Sequence, residues 1–174
     1  AAELAGDTEL GALARRMHSQ AARATDDVRR IVRQLRPAEL EELGLPAAVA
    51  AAAARLRAPH TPTFQVDTPS LLADVPAEVE DAAYKICLEA MTNVIRHSRA
   101  TRCHIQLRDT GSEVELEVSD DGHGIDAGHA EGTGLRSMRD RAAALGGTVT
   151  ISAGAGGAGT TVLTRLPRSR QATP

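Results

Sequence analysis

Aromatic residues are almost missing from this sequence of 174 residues, which holds one Phe, one Tyr and no Trp. A core must therefore be built from Leu, Val, Ile, Met and Ala. No aromatic platform exists for stacking bases, which argues against a single-strand nucleic-acid binder. An excess of charge of one sign is also lacking. With 20 basic and 23 acidic residues the formal charge is -3, so there is no electrostatic footprint for nucleic acid or for an anionic membrane surface. Cysteine is scarce: Cys87 and Cys103 form no CxxC and join no Cys/His cluster, which excludes a zinc site or a redox pair on spacing. Each falls on the apolar face of a predicted element and reads as a buried free thiol, pointing to a reducing, cytoplasmic setting. No apolar run is long enough to cross a bilayer, and the alanine-rich start lacks the order of a signal peptide. Membrane attachment is expected only through regions outside this chain. The missing initial Met and the opening inside a helical pattern read as a piece of a longer protein.

What is present fits one domain with a helical appendage. Leu10, Ala14, Met17, Ala21, Ala24, Val28, Ile31 and Leu35 follow steps of four and three, a heptad seam flanked by Arg and Asp. Such a narrow stripe predicts a helix that buries itself against another in a coiled coil or four-helix bundle, an amphipathic helix packed on its own domain being the plain alternative. Pro37 stops it. Leu40, Leu43, Gly44 and Leu45 are expected to form a connector, and Pro46 to open a short helix through about Leu56. Phe64 and Val66 alternate with polar neighbours and predict a strand. After Pro76 the apolar positions Val79, Ala83, Ile86, Cys87, Ala90, Met91, Val94 and Ile95 keep a helical period down to about His97. Two alternations, Cys103, Ile105, Leu107 and then Val114, Leu116, Val118, predict an antiparallel hairpin with one wet face. Residues 120–134 read as a loop. A helix with Leu135, Met138, Ala142 and Leu145 facing inward follows, closed by Gly146 and Gly147. Strands at residues 148–152 and 160–166 complete a two-layer α/β sandwich, with a mixed, mostly antiparallel sheet and helices on one face. The tail from Pro167 is expected to be disordered.

Three groups carry chemistry. Glu89, Asn93, Arg96 and His97 share a polar face of the long helix and offer oxygen ligands for a metal and positive charge for phosphates; a solvated helix face is the plain alternative. In Asp120-Asp121-Gly122-His123-Gly124 an acceptor at a strand end can read an exocyclic amino group, and the glycines admit a ligand to the backbone. Alone, this run could be a turn or a calcium loop, although the ligand positions of an EF-hand are missing. Gly132-Thr133-Gly134-Leu135 precedes a helix whose first amides can hold phosphate oxygens.

In this order the motifs resemble the catalytic domain of the GHKL superfamily, which includes gyrase, MutL and histidine kinases. The segment from Glu89 through Asn93 and His97 to Ser98 is similar to the family's N box, Asp120 to Gly124 to its first glycine box and Gly132 to Leu135 to its second. Leu35-Arg36-Pro37, Leu43-Gly44-Leu45 and the run from Gly134-Leu135-Arg136 to Arg141 are similar to sensor histidine kinases that work with NarL/LuxR-type response regulators. The resemblance implies a Bergerat-type ATP-binding fold with ATP and Mg2+ as cofactors. It implies that Asn93 coordinates the metal, Glu89 orients water or metal beside it, Arg96 and His97 face the phosphates, and Asp120 bonds the adenine amino group. Gly122, Gly124, Gly132, Gly134 and Leu135 would shape the site and its lid, residues 125–131, with Thr160 or its neighbour Thr161 near the adenine. Residues 1–36 would be part of the second helix of a dimerisation hairpin, 37–45 a connector, 46–167 the catalytic domain and 168–174 a tail.

The family's phosphoacceptor motif is absent. His18 lacks the acidic neighbour and lies too close to Leu35-Arg36-Pro37, while His60, His104, His123 and His129 receive no role. The γ-phosphoryl is therefore expected to pass to a histidine outside this chain, within a homodimer, and thence to a response regulator, and the chain alone is not expected to phosphorylate itself. The alternatives are a serine kinase of the anti-sigma type and a non-catalytic nucleotide sensor.

Overall fold

The computed structural model describes residues 37–125, 132–154 and 157–168. The chain divides after Arg36. The heptad seam and His18, most of the expected lid with His129, and residues 169–174 of the tail lie outside the described residues.

The described residues form five strands and three helices: α1 (Ala38–Arg55), β1 (Thr63–Asp67), α2 (Ala77–Asn93) with a π-helical extension (Val94–Ser98), β2 (Arg102–Asp109), β3 (Glu113–Asp120), α3 (Thr133–Ala143), β4 (Thr148–Ala153) and β5 (Thr160–Pro167). The sheet order is β1-β2-β3-β5-β4. Only the β1–β2 pair is parallel, and the other three pairs are antiparallel.

Alternation decides which face is buried. Cys103, Ile105 and Leu107 on β2, Val114, Leu116 and Val118 on β3, and Val162, Thr164 and Leu166 on β5 all point into the core, while the acidic Glu113, Glu115 and Glu117 lie on the other face. The apolar stripe of α2 covers this surface across β3 and β5; α1 packs against β1 and α2, and α3 against β4 and β5. Phe64 and Tyr84 are both buried, and Cys87 and Cys103 are free thiols in the same core. Burial pushes the Cys103 thiol up to about 12 and Cys87 likewise upward, so both remain protonated and inert.

The expected connector is helical before Gly44. α1 begins at Ala38 and is interrupted at Gly44, whose φ of 72° and ψ of 166° are not helical, and the helix that Pro46 was expected to open follows this kink. The reason is burial on both sides of the bend: Leu40 and Leu45 are 1% and 0% exposed, whereas Leu43 is 50% exposed. Glu39 fastens this first turn by pairing with Arg55 at the far end of α1 and accepting the Tyr84 hydroxyl at 3.1 Å.

A second fastening lies where β3 ends. Oδ1 of Asp121 accepts the backbone N–H groups of Thr101 and Arg102, each at 2.8 Å, and Oδ2 accepts the Thr101 hydroxyl at 2.8 Å. These bonds, the Arg102 amide first, hold the Asp121 carboxyl well below its usual range.

Two outcomes follow from these fastenings. Leu45→Ala should lower the unfolding free energy in urea by roughly 2–5 kcal/mol, while Leu43→Ala should change it by less than about 0.5 kcal/mol. Because the Asp121 carboxylate is favoured in the folded state, its contribution is present above about pH 4 and is lost as pH falls below that value. Urea unfolding between acid and neutral pH should therefore show a shallower acid decline in Asp121→Asn than in the wild-type chain.

Candidate functional site

The C-terminal part of α2, the ends of β3 and β5 and the start of α3 enclose one cleft of about 560 Å³. It is lined by Glu89, Asn93, Arg96, His97, Asp120, Gly124, Gly132, Gly134, Leu135 and Thr160, ten of the residues singled out from the sequence. Gly122 does not line it. A side chain there would run into the Ser98 carbonyl and lie 2.8 Å from Asp120 Oδ1, so this glycine serves the approach of two backbones.

Each wall follows from local chemistry. Since α2 must turn its apolar stripe to the sheet, Glu89 and Asn93, one turn apart, are left half-buried on its flank. At Val94 the helix widens into the π turn that ends at Arg99, left-handed at φ 53°. Such a turn inserts one residue into the helical register, and both Arg96 and His97 stand exposed on the cleft. Ser98 closes the turn by donating its hydroxyl to the Val94 carbonyl at 2.8 Å, while its own carbonyl accepts the His123 N–H at 3.0 Å. The helix end is thus tied to the glycine-rich loop.

Asp120 is the last residue of β3 and pairs with Cys103. Its Oδ1 accepts the Gly122 N–H at 2.8 Å, leaving the other oxygen for a ligand. Gly159, at φ 72°, lies so close to the Asp120 carbonyl that any Cβ would overlap it. That contact brings the start of β5 onto Asp120. Strand parity then separates the two candidate threonines: Thr160 is buried and lines the cleft, whereas Thr161 pairs with Ser119 on the outer face. Ala90, Val94, Val118 and Val162 add apolar lining.

On the opposite wall Gly132 caps α3 with extended backbone and no side-chain hydrogen bond. The first bond within the helix runs from Arg136 N–H to the Gly132 carbonyl at 3.2 Å. The amides of Thr133, Gly134 and Leu135 precede it without intrahelical partners, and all three residues line the cleft. A Cβ at Gly134 would strike the Glu89 carboxylate and come within 3.6 Å of Asn93 Nδ2. The start of α3, whose open amides suit an anion, therefore adjoins the carboxylate and amide of α2. Among the described residues no group of three or more His, Cys, Asp or Glu could hold a metal ion. Asn93 and Glu89 offer oxygens that a divalent cation could share with oxygens brought by a ligand, the habit of Mg2+ on phosphates.

Sequence reasoning missed several contributors. Asp121, given no role beside Asp120, ties the end of β3 to Thr101 and Arg102. His123, given no role, lines the cleft, and Gly159 carried only the signal of a glycine just before a strand.

A family model described as histidine kinase-, DNA gyrase B-, and HSP90-like ATPase matches residues 78–170. The chain is 31% identical over 151 residues to the sensor histidine kinase MctS of Rhizobium johnstonii, covering 84% of this chain and 32% of that protein. It is 30% identical over 155 residues to the sensor histidine kinase LiaS of Bacillus subtilis, covering 88% and 42% respectively. Among solved structures, the blue-light activated histidine kinase of Erythrobacter litoralis matches with a TM-score of 0.60 at 27% identity, over 73% of this chain and 42% of that one. The chain thus spans less than half the length of these relatives. No helix among the described residues is long and apolar enough to cross a membrane. With more than half of the chain matched, and the cleft built from the matched residues, the chain belongs to the family of histidine kinase-, DNA gyrase B- and HSP90-like ATPases.

Proposed function

We propose that this chain is the ATP-binding catalytic part of a two-component sensor histidine kinase. The observation that carries the reading is convergence: a base-reading carboxylate (Asp120), an uncapped helix start (Thr133 to Leu135) and the Glu89–Asn93 pair reach one cleft from three separate elements. Sensor histidine kinases among its relatives support the choice within the family.

In this reading Asp120 accepts a hydrogen bond from the adenine amino group, with Thr160 beside it, and the α3 amides hold phosphate oxygens. Arg96 and His97 add donors at the phosphates. Asn93 would hold Mg2+, with Glu89 orienting water next to it; the metal, when bound, neutralises charge building on the phosphates. The chain's own work is positioning and charge complementarity. The γ-phosphoryl passes to an imidazole nitrogen of a histidine outside this chain, breaking the bond to the β-phosphate bridging oxygen as the N–P bond forms, and then to an aspartate of a response regulator. Leu43-Gly44-Leu45 and the run from Gly134 to Arg141 favour a regulator of the NarL/LuxR type. The intact kinase acts as a homodimer, its catalytic part on the cytoplasmic side.

Two measurements test this. Calorimetry with Mg2+ present should show ATP binding to the wild-type chain and a loss of roughly 1.5–3 kcal/mol in Asp120→Ala, the worth of a hydrogen bond to a charged group. No heat for ATP or ADP at millimolar concentrations would end the reading. Mixed with a separate helical hairpin that carries the acceptor histidine, the chain should transfer labelled phosphate in an acid-labile form. Asn93→Ala should slow that transfer roughly a hundredfold. Acid-stable phosphate on a partner would instead favour a serine kinase.

A further inference from the structure

Asp121 does not line the cleft, yet its carboxylate accepts four hydrogen bonds where Asp120 accepts one from Gly122. Besides the amides of Thr101 and Arg102 and the Thr101 hydroxyl, it accepts from Arg102 Nε at 3.3 Å. Its own N–H donates to the Arg102 carbonyl at 3.2 Å, continuing the β2–β3 ladder one step past Asp120. The residues on either side of it have no slack. Asp120 is pressed by Gly159 at its carbonyl, and Gly122 lies under the Ser98 carbonyl while donating to Asp120 Oδ1. The direction of the Asp120 carboxylate is therefore a property of the backbone over residues 120–122. The Asp121 side chain ties that backbone to the start of β2 through three bonds of 2.8 Å.

We propose that Asp121 is a positioning residue for base selection: by clamping the loop to the start of β2 it aims the Asp120 carboxylate, and so sets how strongly the cleft prefers a purine bearing a 6-amino group. The inference rests on the adenine-binding reading above. It differs from a contribution to folding alone in what it predicts. A residue that only stabilised the fold would change affinity for every nucleotide by the same factor. A residue that aims Asp120 changes the ratio between a nucleotide with the amino group and one without it, because phosphates and ring contacts are common to both.

The geometry also forecasts which substitutions are tolerated. Both backbone amides converge on a single oxygen, so an Asn at this position retains that acceptor, and the Thr101 hydroxyl can reverse to accept from the amide nitrogen. The Arg102 guanidinium is 82% exposed and adds little, since the bond that matters comes from its backbone.

The test is the ratio of dissociation constants for ATP and purine riboside 5'-triphosphate, with Mg2+, in the wild type and in Asp121→Ala, Asp121→Asn, Thr101→Val, Arg102→Ala and Asp120→Ala. The wild type should prefer ATP by on the order of tenfold or more, the worth of one hydrogen bond to a carboxylate. Asp121→Ala should lose most of that preference and approach Asp120→Ala, while its affinity for the purine riboside triphosphate changes less than about twofold. Asp121→Asn should restore the preference, and Arg102→Ala should leave it intact. If Asp121→Ala does not fold, Thr101→Val, which removes one of the clamping bonds, should lower the ratio by a smaller factor. Equal loss for both nucleotides in the Asp121 and Thr101 variants overturns the inference while leaving the functional reading standing. A wild type that binds neither nucleotide, or both equally, overturns the reading of Asp120 itself and this inference with it.

Discussion

The structure depends on one helix serving two surfaces. The apolar residues of α2 must stay buried across β3 and β5, because with almost no aromatic side chains available this contact is the centre of the core. Once that stripe is fixed, the 3.6-residue period leaves Glu89 and Asn93 on the flank beside the strand ends, where Asp120 and Thr160 emerge. Core and cleft are consequently not separable. A change that rotated α2 to improve its packing would carry the Glu89–Asn93 pair away from the start of α3.

The lack of aromatics has a structural counterpart in the small side chains buried between the layers. Ala48, Ala52 and Ala53 of α1 and Ala82, Ala83 and Ala90 of α2 are all buried. Small side chains at these positions let helix backbones come near one another and near the sheet, so that fit replaces bulk as the source of packing. Phe64 and Tyr84 are the exceptions, and the Tyr84 hydroxyl donates to Glu39 at the α1 turn. That turn follows Pro37, where the described residues begin.

Most of the fold was legible because its elements obey a period. The β2–β3 hairpin, the body of α2, α3 with the reach of Gly147 N–H back to the Ala142 carbonyl, and the β4–β5 pair were all expected from alternation, helical spacing and glycine placement. What escaped were features with no period of their own. The helical turn before Gly44 is stabilised by burial of Leu40 and Leu45 rather than by local propensity. The π turn inserts a residue without any composition that marks it. In the cleft, ten singled-out residues were brought together because they sat near the ends of legible elements or in the loops that join them. Gly122 fell away from the lining, and the choice between Thr160 and Thr161 stayed open, because contact with Ser98 and the β3–β5 register are tertiary facts.

The bare start of α3 has one more implication. Among the described residues neither a side chain nor another peptide meets the opening amides of α3, and a helix start of that kind is thermodynamically unfinished. An anion seated there acts as the absent cap, so occupancy and helix order become two readings of one equilibrium. The polyphosphate would then be a structural component of the segment that grips it, and its departure would loosen the same turn that lies against Glu89.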